Sequence, residues 1–415
     1  MLVLNEFRND ARVERTAETL TNEGWRVELV ALEDEGARTE HPYEVRRVQA
    51  RSWLERVRPT SASPHPIGEV SPSVRTSSPA VAALKRAILP FHSRSRERSF
   101  RRRVLRTTKG RSFDVVHCHD FNTLRCGHLV ASRTNAKLIY DTHELWRGRN
   151  KLSSDRLGSL IEWFWERRII SQCTAVITVS GSIARWLQST YGLDPAPTVV
   201  RNTPKGGLVP SGNGLLIEDR SPASTTTIVY TGRVSRGRGV TNAIRALALL
   251  PDGVELVVLG YGDRDAMAEI HNAASRLARP DRVRVVAPVA PNQVTATIAD
   301  ADMAVVPIEP TCLSYEYCLP NKLFEAVQAG LPVVVSDLPD MTALVEEYKL
   351  GEAVDTSDPE VLAAAIERVL LSADDREIIA ISASEALSWE QEQLRLMSVY
   401  EGLTDQAAVR GNTLR

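Results

Sequence analysis

A chain of 415 residues is too long for one ordinary hydrophobic core, and its length points to two domains. With 43% hydrophobic residues, 25% charged residues and a formal net charge of −1, it has a globular composition and no global pull toward nucleic acid or an acidic partner. Five scattered cysteines, Cys118, Cys126, Cys173, Cys312 and Cys318, form no CxxC pair, which argues against a disulfide framework and a structural zinc site. The first residues, MLVLNEFRND, lack the charged and apolar regions of a signal peptide, and no run reaches the ~20 apolar residues of a membrane-spanning helix. The expectation is a cytoplasmic protein.

In chain order, the first half offers candidate strands at 2–4, 27–31, 115–117, 138–140, 175–179 and 198–200. The second half offers them at 227–230, 254–259, 282–286, 303–307 and 332–335. They are short, rich in Val and Ile, and several lack polar alternation, as expected of strands covered on both faces. Amphipathic segments such as 13–23 and 242–249 fall between them, so each half reads as a doubly wound α/β domain with a parallel sheet. A Pro-, Gly- and Ser-rich stretch over 202–223 marks the boundary, giving domains at 1–203 and 204–387. Residues 388–403 read as a late amphipathic helix packing back on the first domain, and 404–415 as a disordered tail. One segment departs from the pattern: 51–111 carries 15 Lys and Arg against 3 acids, with many Ser and Pro. A basic insertion of this kind suits an anionic lipid surface or a polyanionic acceptor, and equally a solvated, partly flexible segment whose charge is incidental. Without aromatic residues interleaved for base stacking, it does not suit nucleic acid.

Two local patterns carry chemistry. In PNKLFEAVQAGLPVVV, from Pro320, a helix turns Leu323, Phe324 and Val327 inward and ends at Gly330, before an apolar strand. Asn321, Lys322, Leu323 and Glu325 stand near its N-terminus, which favours phosphate oxygens, and a carboxylate there can accept both hydroxyls of a ribose. In YTGRVSRGRGV, from Tyr230, Gly232 lets a ligand approach the backbone, and Arg233 and Arg238 supply bidentate phosphate contacts. Gly260, Tyr261 and Gly262 read as a tight turn after the next strand. His117 and His119 stand at a strand end, and Asp300 and Asp302 read as a helix end and turn rather than a metal site.

These motifs, followed by ADADMAVVP and preceded by DARVERTAETLTNEGWRVELVAL, FDVVHCHDFNTL, LIYDTHELW, AVITVSGSIARWL and VVRNTP, resemble the family 4 glycosyltransferases over nearly the whole chain. That resemblance implies the GT-B fold: two Rossmann-like domains facing each other across a cleft that holds a nucleoside-diphosphate sugar. It implies retention of anomeric configuration, with the departing phosphate oxygen taking the acceptor proton. His143 matches the family's histidine beside the donor sugar, Arg233 and Arg238 its diphosphate-binding pair, and Glu325 the carboxylate that holds the ribose. Asn9, Asp10, His119 and Glu144 fall on the acceptor side. No cofactor and no metal are expected. Where many members carry a second glutamate, eight residues before Glu325, this chain has Tyr317, with Glu316 beside it.

The leading expectation is transfer of a sugar to an acceptor hydroxyl in bacterial envelope-glycan or glycoconjugate synthesis, with peripheral contact at the inner face of the membrane. The rivals are a nucleotide-sugar 2-epimerase of the same architecture and a GT-B binding module that has lost catalysis.

Overall fold

Runs of Val, Ile and Leu form parallel strands throughout the described residues of the computed structural model, which are 1–7, 10–33, 40–50, 94–149, 156–207, 226–372 and 383–412. The chain divides into two compact units, Met1–Arg8 with Ala17–Val176, and Asn9–Thr16 with Ile177–Arg415. The division runs through the first helix, α1 (Ala11–Asn22), whose N-terminal turn belongs to the second unit.

In the first unit, β1 (Glu28–Leu32) and β2 (Glu44–Val48) pair in parallel, and Leu2 bridges to Val30 of β1 and to Cys118 further along. A helix follows over 94–107, α2, which lies in the densest part of the predicted basic insertion. It exists because Phe100 and Val104, one turn apart, are fully buried, while Arg98, Arg102 and Arg106 repeat at the same spacing on the exposed side. The rest of that insertion, 51–93, lies outside the described residues, as does Asn9. Next come β3 (Val115–His119), α3 (Phe121–Thr134), β4 (Lys137–Thr142) and α4 (Arg156–Ile170). β3 and β4 pair in parallel, which sets His119 beside Asp141. β5 (Ala175–Thr178) straddles the division between the units.

In the second unit, α5 (Gly181–Tyr191) precedes β6 (Thr198–Val199), which pairs with the end of β5. The larger sheet is built from β7 (Thr226–Val234), α6 (Val240–Leu247), β8 (Val254–Gly262), α7 (Arg264–Ala274), β9 (Val283–Val286), α8 (Val294–Ile298) and β10 (Met303–Val306). It is completed by α9 (Leu313–Glu316), α10 (Asn321–Gln328), β11 (Val333–Ser336), α11 (Pro339–Tyr348), β12 (Gly351–Val354) and α12 (Pro359–Leu371). Its strand order is β12-β11-β10-β7-β8-β9. The order therefore reverses between β7 and β10, and in such sheets ligands bind outside the carboxyl ends of the strands at that point. Alternation along the strands builds two cores. Val229, Val257 and Val306 pack with Leu323, Phe324 and Val327 of α10 on one face, and Ile228, Val258 and Val305 pack with Ile244 of α6 and Ile366 of α12 on the other.

The structure departs from the sequence reading in several places, the first at residues 2–4, where Leu2 forms isolated bridges in place of the expected strand. Gly260, Tyr261 and Gly262 are not a turn. They extend β8, paired with Gly232, Arg233 and Val234. A Cβ on Gly260 would sit 2.0 Å from the Gly232 carbonyl oxygen, so the glycine serves the strand pairing. The last helix, α13 (Trp389–Asn412), runs past residue 403 where a disordered tail was expected, since Asp405–Arg410 (DQAAVR) contains good helix formers. Two strands, β2 and β12, were not anticipated, because neither carries a run of apolar residues. α13 begins with buried Trp389 and packs on β6, its fully buried Glu392 accepting from the Arg201 N–H (2.8 Å) and from Arg395 Nη1 (2.7 Å).

Candidate functional site

The loop after β7 and the start of α10 meet at the switch point of the second unit. Gly232, Gly237 and Gly239 all hold positive φ, so the chain can fold tightly from β7 into α6 and carry Arg238 with it. Arg238 lies with its guanidinium 4.6 Å from the Tyr315 ring centroid, and its Nε has no hydrogen-bond partner. Lys322 is only 8% exposed, its Nζ 3.4 Å from the Tyr230 ring centroid and likewise without a hydrogen-bond partner. Burial, then the neighbouring Arg238 charge, holds the Lys322 ammonium well below the usual lysine range, with Glu325 pulling the other way. Burial also pushes the Glu325 carboxyl up, opposed by the Thr231 hydroxyl, which donates to Glu325 Oε2 (3.2 Å), and by Lys322 and Arg15. Two basic side chains, Arg238 and Lys322, thus sit beside one carboxylate at the N-terminus of α10, where phosphate oxygens would be stabilised.

The other expected donor residues are placed differently. Arg233 is exposed at the end of β7, in register with the exposed Tyr261. Leu323 is fully buried in the core, and its N–H bonds to the Pro320 carbonyl (3.1 Å). Asn321 Oδ1 accepts from Asn202 Nδ2 (2.9 Å), and Asn202 in turn accepts from Arg15. Arg15 escaped the sequence reading. Burial first, and then the nearby Arg12, lowers its guanidinium to about 10, while Glu325 pulls upward, so Arg15 belongs to the electrostatics of the same site. The clue was a second arginine on α1 close to the inward-facing Arg12, which donates to the Val200 carbonyl (2.7 Å). Asp10 accepts from the Val13 N–H (3.2 Å) and caps α1. Tyr317 ends α9, its carbonyl accepting from the Ser180 hydroxyl (2.7 Å). Asp302 takes the Thr227 N–H (2.8 Å), in keeping with a structural role.

In the first unit, the ends of β3 and β4 gather His117, His119, Asp141 and His143. His119 Nδ1 lies 3.0 Å from His143 Nε2. Asp141 Oδ2 is 3.5 Å from His117 Nε2, 3.6 Å from His119 Nδ1 and 3.7 Å from His143 Nε2. Asp120, at φ 62°, fixes the next loop: its Oδ1 accepts from the His143 N–H (3.0 Å), and its Oδ2 lies 3.6 Å from His143 Nδ1. Asp141 and its position opposite His119 were missed because only strand register brings them together. Among the described residues, His117, His119 and Asp141 are the group whose ligating atoms lie close enough, within 4.8 Å, to hold a metal ion. The 3.0 Å His119–His143 contact, with Asp141 at 3.5–3.7 Å from the three rings, equally suits an array that orients His143. Glu144 instead faces outward and pairs with Arg149 (3.2 Å).

Comparison with known proteins gives the chain's family and fold. Residues 11–203 match the family model described as Glycosyltransferase Family 4, and 225–372 the model described as Glycosyl transferases group 1. The D-inositol 3-phosphate glycosyltransferase of Xylanimonas cellulosilytica is 26% identical over 408 residues, covering 91% of this chain and 94% of its own. That of Geodermatophilus obscurus is 26% identical, covering 73% and 71%. Among solved structures, sucrose-phosphate synthase from Thermosynechococcus elongatus superposes with a TM-score of 0.74 at 18% identity, covering 98% and 99%. Anabaena HepE in complex with UDP-glucose gives 0.65 at 15% identity, covering 98% of each chain.

Proposed function

Because the chain belongs to glycosyltransferase family 4 and has the GT-B fold, we propose that it moves a sugar from a nucleoside-diphosphate sugar to an acceptor hydroxyl with retention of anomeric configuration. The observation that carries this reading is Lys322, a buried amine without a hydrogen-bond partner, beside Arg238 and Glu325 at a helix N-terminus on the switch point of the sheet. Burying two basic groups beside a single carboxylate is costly, and a diphosphate supplies the missing negative charge. Glu325 accepts the ribose hydroxyls, and Arg233, Arg238 and Lys322 hold the diphosphate. His143, oriented by Asp120 and the Asp141 array, lines the donor sugar. The leaving phosphate oxygen takes the acceptor proton on the same face. No metal or cofactor takes part, because fixed cations do that work. The complexes of HepE with UDP and with UDP-glucose support UDP as the donor nucleotide. Relatives that are transferases weigh against the epimerase and the degenerate module.

We assign the acceptor to bacterial envelope-glycan or glycoconjugate synthesis, with the protein cytoplasmic and peripheral at the inner face of the membrane. No helix among the described residues is long and apolar enough to cross a membrane. A second reading, a phosphorylated cyclitol acceptor, rests on the D-inositol 3-phosphate glycosyltransferases at 26% identity. Calorimetry with UDP, GDP, ADP and TDP in metal-free buffer tests the donor. UDP alone should bind, and Glu325→Ala should abolish that binding. If no nucleotide binds, the proposal fails. Transfer from the matching donor to inositol 3-phosphate separates the two acceptor readings.

Two smaller effects follow. A diphosphate favours the charged form of Lys322, whose pKa in the free protein is depressed, so binding raises that pKa. Above the depressed pKa of the free lysine, nucleotide binding should therefore take up protons and weaken as pH rises. Calorimetry in buffers of different ionisation enthalpy reads the uptake directly, and it should vanish in Lys322→Met. Asp120→Ala should leave nucleotide affinity unchanged and lower transfer turnover roughly tenfold, by freeing the His143 backbone and ring. An equal loss in nucleotide affinity would contradict the division of roles.

A further inference from the structure

Among the described residues of the first unit, the exposed large apolar side chains lie on two neighbouring helices, α3 and α4. In α4, whose side chains are described from Gly158 onward, the exposed positions are Leu160, Ile161, Phe164, Arg167 and Arg168. They recur at intervals of three and four, so they form one stripe, and not one is acidic. Phe164 is 52% exposed and Leu160 61% exposed, where a helix facing water would carry charge. Leu129 of α3, also exposed, stands one turn from Arg125, whose guanidinium lies 3.7 Å from the Trp165 ring centroid, so it borders the stripe. Trp163 has Arg147 and Arg167 beside its ring at 5.9 and 5.6 Å. α2 is a neighbour, since Glu97 feels the charge of Glu162, and it adds exposed Arg98, Arg102, Arg103 and Arg106. The acids on the two helices, Glu97, Glu162 and Glu166, are half-buried or buried.

We propose that this face docks on an anionic bilayer: Leu160, Ile161 and Phe164 enter the boundary between headgroups and acyl chains, and the arginines hold lipid phosphates. An apolar stripe edged by tryptophan and arginine is the composition of an interfacial helix. Charge decides against a second copy of this chain, because a symmetric pair would set the arginines of one protomer against those of the other. The proposal rests on the peripheral-membrane reading above and names its surface. It is independent of the donor site.

The full chain is sedimented with phosphatidylcholine vesicles, with and without phosphatidylglycerol, beside Leu160→Ser/Phe164→Ser and Arg167→Gln/Arg168→Gln. Circular dichroism of each protein reports an intact fold, and UDP calorimetry keeps failure of the donor reading separate from failure of this one. The wild type should partition at least about tenfold more onto anionic vesicles. The apolar pair should lose about tenfold or more on those vesicles. The arginine pair should lose roughly thirtyfold. Wild-type-like binding by the apolar pair, or no preference of the wild type for anionic vesicles, overturns the proposal. So does a change from dimer to monomer in the apolar pair with vesicle binding unaltered.

Discussion

Gly239→Ala should destabilise the second unit by at least about 3 kcal/mol and abolish nucleotide binding. Gly239 holds φ 69° at the start of α6, and a Cβ there would stand 1.7 Å from the Pro307 carbonyl oxygen. That oxygen belongs to backbone just beyond β10, so the clash cannot be relieved by turning a side chain. Either β10 or the loop from β7 must move, and the loop carries Arg238. A control isolates the steric part. Gly192 holds φ 65° with no atom within 4 Å of its would-be Cβ, so Gly192→Ala bears the left-handed strain alone. It should cost about 1–2 kcal/mol and leave nucleotide binding intact. Urea unfolding of both variants, followed by UDP titration, checks the pair. Equal destabilisation by the two would mean that the approach of the β7 loop to Pro307 is not structurally important.

The same contact shows how much of the site could be read from sequence. Glycines at 232, 237 and 239 with arginines between them signal a loop near phosphate, and the structure gives each of the three a positive φ. Gly260 looked similar but serves strand pairing against Gly232, a reason that is visible only when β7 and β8 lie side by side. Helix α10 was legible because its inward residues Leu323, Phe324 and Val327 follow the helical period, and Lys322 and Glu325 came with it. What stayed hidden depends on pairings distant in sequence. Arg15 reaches Asn202 across 187 residues, and Asp141 meets His119 only through the register of β3 and β4. Strand β2, Glu44–Val48 (EVRRV), was hidden for the opposite reason: most of its side chains are partly exposed, so no apolar run marks it.

The charge arrangement at α10 leads to the largest functional effect. Arg238→Ala should lower the turnover of sugar transfer by about 10²–10³, equivalent to ~2.7–4 kcal/mol of transition-state stabilisation. As the glycosidic bond breaks, negative charge grows on the diphosphate, and a fixed guanidinium gains more there than in the bound ground state. Arg238 is already poised to meet that charge. Its guanidinium lies over the Tyr315 ring, its Nε has no competing hydrogen bond, and its loop is fixed by Gly237 and Gly239. Its loss has a second, opposing consequence. Lys322 is depressed partly by Arg238, so removing the guanidinium lets the lysine ammonium recover toward its ordinary range. Ground-state binding of the nucleotide should therefore fall less than turnover, with Lys322 retaining part of the diphosphate affinity. Steady-state kinetics beside UDP calorimetry separates the two quantities. A variant that loses affinity and turnover in equal measure would place Arg238 in ground-state binding alone. A variant whose turnover is unchanged would remove it from the chemistry and leave Arg233 as the guanidinium that meets the leaving group.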